Sequence, residues 1–116
     1  MPEQRDKPIA QLVDPQGFRI VVTEETWRHV LDGHPELGTD SEKVWQAITN
    51  PDFIVYERRS HLCFCFDRLS REGKDIYMVV VVSRHDEGGE MKTAFYTGLG
   101  YVQSKKERGI VIWQKI

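Results

Sequence analysis

The stretch TEETWRHVLDGHPEL, residues 23–37, decides the fold because it predicts a short helix with a defined start and one apolar face. Thr23 is a favourable N-cap, and the two glutamates after it lie in the first turn, where the helix dipole favours negative charge. Trp27, Val30 and Leu31 follow helical spacing, so their side chains share one face. We therefore expect a helix that packs this face on a hydrophobic core.

The end of this helix carries a histidine. Gly33 is typical of the left-handed residue that terminates a helix, and Pro35 prevents continuation. His34 lies between them, at a helix C-terminus where a cationic imidazole is favoured, so it is a candidate acid–base group. His29 lies roughly 200° around the helix from Trp27 and is expected on the opposite face. A structural interpretation, in which both histidines are ordinary surface residues, accounts for the spacing equally well.

The length of the chain indicates one domain. With 116 residues it can bury about two-thirds of its unfolded surface, so it needs no disulfide or metal for stability. We expect a flexible leader at residues 1–8 and a single domain at residues 9–116. No secretory signal is recognisable, and the longest apolar run, residues 78–82, is too short to cross a bilayer.

The first half of the chain predicts a β-hairpin followed by two helices. Residues 9–13 and 18–22 flank Asp14-Pro15-Gln16-Gly17, a strong turn signal with proline in its second position. Beyond the helix described above, Ser41 is an N-cap candidate for a second helix at residues 42–49, which Asn50 and Pro51 end.

The second half predicts an antiparallel meander. Residues 76–83 are apolar throughout, which favours a central strand buried on both faces, whereas residues 110–115 are expected at an edge. Residues 104–109 predict a basic loop or a short helical turn. The expected fold class is α+β, with the hairpin and the two helices packed on one face of a four- to five-stranded antiparallel sheet. The expected core combines Trp27, Val30, Leu31, Phe64, Phe66, Val79 and Val81.

The cysteines predict a reducing, cytoplasmic location and no metal site. Cys63 and Cys65 are two residues apart, a spacing along a strand that is badly aimed for a disulfide. Free thiols suit a reducing compartment. A strand would place three possible metal ligands on one face: His61, Cys63 and Cys65. Donors spaced along one straight strand nevertheless converge poorly on a zinc ion. We expect neither a metal nor another cofactor, and interpret the thiols as core residues.

The charge is unevenly distributed along the chain. Residues 1–57 carry 5 Lys/Arg against 11 Asp/Glu, whereas residues 58–116 carry 11 against 7. Arg68, Arg84 and Lys92 lie at predicted strand ends, where hairpins gather side chains in space. One interpretation is a solvated charged edge. The other is an anion-binding edge near His34, with arginine donors for phosphate.

Five short motifs resemble a known family in their order along the chain. They are W-x-H-x-x-x-x-H-P-E at residues 27–36, N-P-D at 50–52, F-x-R at 66–68, VVVV-S-R at 79–84 and T-A-x-Y-T at 93–97. The chain resembles the Barnase–EndoU–Colicin–RelE-like (BECR) nucleases, in their phage-associated branch, over about residues 20–106. The resemblance implies two helices followed by a four-stranded antiparallel sheet and a metal-independent endoribonuclease, often a toxin or a mobile-element conflict effector.

Metal-free RNA cleavage needs a proton acceptor, a proton donor and cations that stabilise charge on the phosphorus. The resemblance implies RNA as the partner and leaves a protein inhibitor open as a second one. The alternative hypothesis is a catalytically inactive relative that binds a protein or RNA. The candidate catalytic residues are His34, Arg68, Arg84 and Thr97, and the candidate substrate-binding residues are His29, Tyr96, Lys105 and Lys106. The resemblance implies six of these, whereas Lys105 and Lys106 are chosen for their positive charge, and Glu36 is expected to orient His34 as its neighbour in the sequence.

Overall fold

The computed structural model describes residues 7–70 and 75–116 of the chain. Within them it has seven β-strands, three α-helices and a short 3₁₀-helix at Pro35–Thr39. Residues 71–74 of the predicted loop and residues 1–6 of the predicted leader lie outside the described residues, and Pro8 already begins the first strand. In chain order the elements are β1 (Pro8–Val13), β2 (Arg19–Thr23), α1 (Glu24–Gly33), α2 (Ser41–Thr49), β3 (Phe53–Glu57), β4 (Leu62–Ser70), β5 (Ile76–His85), β6 (Gly88–Thr97), α3 (Leu99–Arg108) and β7 (Ile110–Gln114).

The strands form one mixed sheet in the order β1-β2-β6-β5-β4-β3-β7. The α+β class is confirmed, as are the central position of β5 and the edge position of β7. The expectation of four to five antiparallel strands is wrong in size and in direction. The hairpin joins the sheet through a parallel pairing of β2 with β6, and the other neighbouring strands pair antiparallel.

Helices cover both faces of the sheet rather than one. One core cluster contains Val30 of α1 and Ile48 of α2, whereas a second cluster contains Val102 of α3. Residues of β4 and β5 alternate between the two clusters because successive strand side chains point to opposite faces. Double coverage explains why residues 77–82 of β5 are hydrophobic without a break, since both faces of this part of the strand are buried.

The expected core is therefore wrong in its strand phase. The four strand residues of that set are buried, but they pack beneath α3 and not beneath α1: Phe64, Phe66, Val79 and Val81. The alternate positions face α1 and α2 instead: Cys63, Cys65, Met78, Val80 and Val82. Burial of both sets hides the phase from the sequence, because residues 62–66 of β4 and 77–82 of β5 are hydrophobic at every position.

The helix α1 begins where the sequence predicts. The Thr23 hydroxyl accepts a hydrogen bond from the Thr26 N–H at 3.3 Å, and both first-turn glutamates are present. The prediction that Gly33 ends the helix as a left-handed residue is wrong, because Gly33 is the last helical residue and His34 is the C-cap. The His34 N–H donates to Val30 O at 2.8 Å. His34 is thereby held at the junction of α1 and the 3₁₀-helix.

Residues 104–109, expected as a basic loop or a short helical turn, are the end of α3 and its C-cap, so the helix is longer than the expected turn. This helix follows β6 after one residue, Gly98, and crosses the sheet to β3, where its C-cap Gly109 approaches the strand closely. A Cβ at Gly109 would lie 2.5 Å from Val55 Cγ1 and 2.7 Å from Tyr56 O. The close approach is possible only without a side chain at this position.

The sheet is strongly curled around α2. Ala10 of β1 and Trp113 of β7 lie on strands at opposite ends of the strand order, yet both pack against the cluster that contains α2. The β1–β2 turn reaches β7 directly, since Gln16 Nε2 donates to Ile112 O at 3.2 Å. In the described part of the chain no helix is both long and apolar enough to cross a membrane.

Gly109→Ala tests the close approach of α3 to β3. We expect a loss of about 1–3 kcal/mol in the free energy of unfolding, because the added methyl group overlaps a strand backbone and a buried valine. Gly100→Ala is the matched control: no heavy atom lies within 4 Å of its Cβ position, and alanine favours a helix. Chemical denaturation of both variants measures the difference. Equal stabilities would contradict the packing described for Gly109.

Candidate functional site

A row of side chains crosses the face of the sheet that α3 covers, beside the N-terminal end of the helix. Thr97 of β6 pairs with Tyr77 of β5, and Tyr77 pairs with Arg68 of β4. Tyr77 belongs to the core cluster beneath α3, and Thr97 and Arg68 share its phase in their strands. The predicted Thr97 and Arg68 are thus brought onto one face, separated by a tyrosine that the sequence interpretation did not include.

Arg68 lies at the wall of an open cavity of about 300 Å³. Its guanidinium forms an ion pair with Asp75, and its backbone N–H donates to Asp52 Oδ2 at 2.7 Å. The Nε atom is buried and has no hydrogen-bond partner. The cavity is lined by Asp52, Phe53, Arg68, Tyr77, Lys106, Gln114, Lys115 and Ile116. Of its three cations, Arg68 is paired with Asp75 and Lys115 lies 3.8 Å from Asp52, so Lys106 adds positive charge beyond these two pairs.

His34 lies at the β6 edge of the same face. Its ring and that of Phe95 have centroids 6.1 Å apart with planes 29° from parallel, and Phe95 packs against the cluster beneath α3. Phe95 is two residues before Thr97, so the two side chains share a face at roughly 7 Å. His34 Nδ1 lies 3.7 Å from Glu36 Oε2, and the histidine side chain is 41% exposed. The proximity of Glu36 agrees with the orienting role expected for it.

Arg84 lies at the other end of the sheet from Arg68. The prediction that these two arginines bind one phosphate together is therefore wrong. Seven residues of β5 separate Arg84 from Tyr77, the partner of Arg68, which is roughly 23 Å along an extended strand. The Arg84 guanidinium donates to Asp14 Oδ2 at 2.7 Å and to Gln16 Oε1 at 2.8 Å. It also lies 4.3 Å from the ring centroid of Phe18. These contacts make it a structural residue.

Tyr96 and Thr97 do not act as a pair, because adjacent strand residues point to opposite faces. Tyr96 points to the α1–α2 side, where its hydroxyl donates to the carboxylate of Asp40. Burial, followed by the hydrogen bond to the Asp40 carboxylate, raises the pKa of Tyr96 to about 12. This tyrosine anchors the start of α2 to β6 and is removed from the row that contains Arg68.

The two adjacent lysines of α3 point to different sides of the helix. Lys105 Nζ lies 2.8 Å from Glu57 Oε2 and 4.3 Å from the Phe64 ring centroid, and its side chain is 17% exposed. Lys106 Nζ lies 4.1 Å from the Phe53 ring centroid and lines the cavity with Arg68. Of the two lysines proposed from sequence, Lys106 therefore joins the Arg68 site.

The remaining polar candidates lie elsewhere. His29 is exposed on α1. His61 precedes β4 in a left-handed turn conformation and contacts the Tyr56 hydroxyl through Nδ1 at 3.1 Å, so it is not aligned with Cys63 and Cys65. Both cysteines are buried free thiols, as expected, and burial raises the pKa of each. Among residues 7–70 and 75–116 no group of three or more His, Cys, Asp or Glu side chains could hold a metal ion.

The two layers that cover the sheet have opposite charge. Residues 24–49, which include α1 and α2, carry six Asp/Glu against two Lys/Arg, a net charge of −4. Residues 99–116, which include α3 and β7, carry four Lys/Arg against one Glu, a net charge of +3. A polyanion is therefore attracted to the α3 side and repelled from the other.

Sequence reasoning missed the aromatic part of this site. Tyr101 of α3 packs edge-on against Phe95, with centroids 5.4 Å apart, and also contacts Phe66. Tyr77 was missed although its strand was predicted, because only the register of β5 against β4 and β6 places it between Arg68 and Thr97. Strand alternation along β6 is a signal in the sequence that separates Tyr96 from Thr97.

No family model matches the chain, no curated protein is significantly similar to it, and no solved structure matches its fold.

Asp14→Ala tests whether Arg84 is structural. Asp14 is 3% exposed, and its carboxylate also accepts hydrogen bonds from the Gln16 and Phe18 N–H groups. We expect a loss of about 3 kcal/mol in the free energy of unfolding, because removing one partner leaves the other charge buried and unpaired. Glu24→Ala is the control, since it breaks an exposed ion pair with Arg28 and should change stability by less than about 1 kcal/mol. Similar losses for both variants, measured by denaturant unfolding, would contradict the assignment.

Proposed function

We propose that the side of the sheet covered by α3 binds single-stranded RNA and cleaves its phosphodiester bonds without a metal. The observation that carries the proposal is the row of Arg68, Tyr77 and Thr97 beside His34, on the positively charged side of the molecule. It combines a titratable imidazole, hydroxyl groups and phosphate-binding cations on one surface.

The proposed reaction is an attack of the ribose 2′-oxygen on the adjacent phosphorus with loss of the 5′-oxygen. The neutral imidazole of His34 takes the 2′-hydroxyl proton as the new P–O bond forms. Arg68 and Lys106 bind the phosphate oxygens, on which negative charge increases in the transition state. The leaving 5′-oxygen needs a proton, which the Tyr77 hydroxyl donates. Burial raises the pKa of Tyr77 and so keeps this hydroxyl protonated, and a departing alkoxide is a stronger base than a phenolate. The products are a 2′,3′-cyclic phosphate and a free 5′-hydroxyl.

The aromatic residues of the same surface fit the bases of a single strand. Phe95 and Tyr101 are both partly exposed and lie between His34 and the core beneath α3. Unstacked bases of single-stranded RNA are commonly recognised by stacking on such rings, which contributes about 1–3 kcal/mol per base. A duplex hides these base faces, so the surface favours a single strand.

A second function is supported by the state of Arg68. Its guanidinium already forms an ion pair with Asp75, so it must exchange that partner for a phosphate before it can assist cleavage. Binding of an anionic partner by Arg68 needs only this exchange, whereas cleavage also needs the proton transfers assigned to His34 and Tyr77. Cleavage and binding are therefore measured separately in the test below.

His34→Ala and Arg68→Gln test the proposed catalysis on a mixed-sequence RNA in the presence of EDTA. We expect each variant to lower the cleavage rate by about 10²–10⁴-fold, the usual contribution of a positioned acid–base group or charge-stabilising donor. The parent activity should persist in EDTA and should fall as salt is raised, because phosphate contacts release counterions.

Two matched variants control this experiment. His85→Ala removes an exposed histidine at the opposite end of β5, and Lys43→Gln removes a lysine from the acidic α1–α2 layer. Neither change should alter the cleavage rate. No cleavage by the parent protein between about pH 5 and pH 9, together with saturable RNA binding that needs Arg68, would replace the nuclease proposal with the binding module.

A further inference from the structure

A second basic cavity lies on the other side of α3 from the Arg68 site. It measures about 520 Å³ and is lined by Glu57, Arg59 and Arg108. The two arginines come from different elements, since Arg59 follows β3 and Arg108 ends α3. The helix dipole favours cations in the last turn of α3, which accounts for Arg108. It does not account for Arg59, which lies outside the helix.

In the described part of the chain neither arginine of this cavity is held by an ion pair, although the charge of Arg108 contributes to lowering the pKa of Glu57. Within residues 7–70 and 75–116 neither forms an ion pair or a hydrogen bond through its side chain, unlike Arg68 and Arg84. Both residues are exposed, so their planar groups can turn toward a ligand. A guanidinium matches a phosphate through two parallel hydrogen bonds, a geometry that lysine cannot provide.

The single acid of the cavity does not oppose an anion. Glu57 is bound by Lys105 at 2.8 Å and by the Ser60 hydroxyl at 2.7 Å. The Lys105 hydrogen bond is the largest cause that lowers the pKa of Glu57, so its charge is present and compensated. With Glu57 and Lys105 cancelling, the cavity keeps the charge of its two arginines.

The two cavities are connected through β3 and the end of α3. Phe53 lines the Arg68 cavity and Glu57 lines the second one, at opposite ends of the same strand and roughly 13 Å apart. Lys105 points toward one cavity and Lys106 toward the other. This separation exceeds the distance between adjacent phosphates of one strand, so a ligand that fills both cavities spans more than one internucleotide linkage.

We infer that the cavity of Arg59 and Arg108 is a second phosphate subsite of the proposed nuclease, and that its substrate is a single-stranded RNA of several nucleotides. The inference rests on the proposed function, because it extends the same ligand beyond the reacting phosphate. A strand that joins the subsites must bend over the last turn of α3. A flexible single strand can do this, whereas a stiff duplex cannot bend over so short a distance.

The test uses the double variant Arg59→Gln/Arg108→Gln and two probes. One probe is a 2′-O-methyl RNA of about ten nucleotides, which cannot be cleaved because it lacks the attacking hydroxyl. The other is a cleavable dinucleoside monophosphate, which carries one phosphate. We expect the Kd of the long probe to rise at least about tenfold with the loss of two charge-assisted contacts. The salt slope of log Kd should fall by about 1.4, and cleavage of the short probe should be unchanged.

A second double variant and the parent protein complete the design. Arg28→Gln/Lys43→Gln removes two cations from the acidic layer and should change neither measurement. An unchanged Kd and salt slope for Arg59→Gln/Arg108→Gln, with the short probe still cleaved, would overturn the subsite and leave the nuclease proposal intact. If the parent cleaves nothing but binds the long probe through Arg59 and Arg108, the subsite stands and the cleavage proposal fails.

Discussion

The ion pair of Asp14 with Arg84 is the constraint on which the shape of the sheet depends. It is buried at 0% and 12% exposure of the two side chains, and it joins the β1–β2 turn to the central strand β5. Gln16 extends the connection from Arg84 to Ile112 O on β7. Removing two charges from water costs free energy, and only their mutual attraction and further hydrogen bonds compensate for that cost. These contacts form together only when the β1–β2 turn lies against β5, as it does in the curled sheet. The sheet is thereby held around α2.

Only α3 covers the outer face of the curled sheet. The inner face carries residues with structural roles, whereas the outer face carries the residues proposed for chemistry. The inner face is filled by α1, α2 and the side chains of all seven strands, and the guanidinium of Arg84 is bound where this face closes. The outer face is crossed by α3, which covers the cluster around Phe66 and leaves an open cavity on each side. Since α3 is basic and the inner helices are acidic, an anionic ligand has one side on which to bind.

Some parts of this arrangement were predictable from local patterns and others were not. The hairpin turn was predictable because Asp14 to Gly17 has turn chemistry, and the structure shows the Gly17 N–H bonded to Asp14 O at 3.0 Å. The full length of α3 was missed because this helix has a weak apolar stripe, with Val102 as its one buried residue. Strand phase was hidden because residues 77–82 of β5 are hydrophobic on both faces, so the pattern of this segment does not tell the two faces apart.

The sequence by itself determined the α+β class, the start of α1 at Thr23, the central β5, the edge strand β7 and the buried thiols. Each depends on residues close together in the chain, through capping, periodicity or composition. Only the tertiary structure decided that Arg68 and Arg84 lie at opposite ends of the sheet, that Tyr77 separates Arg68 from Thr97, and that His34 meets Phe95. These relations depend on strand order and register, which arise from contacts between distant segments and leave no signal within any one of them.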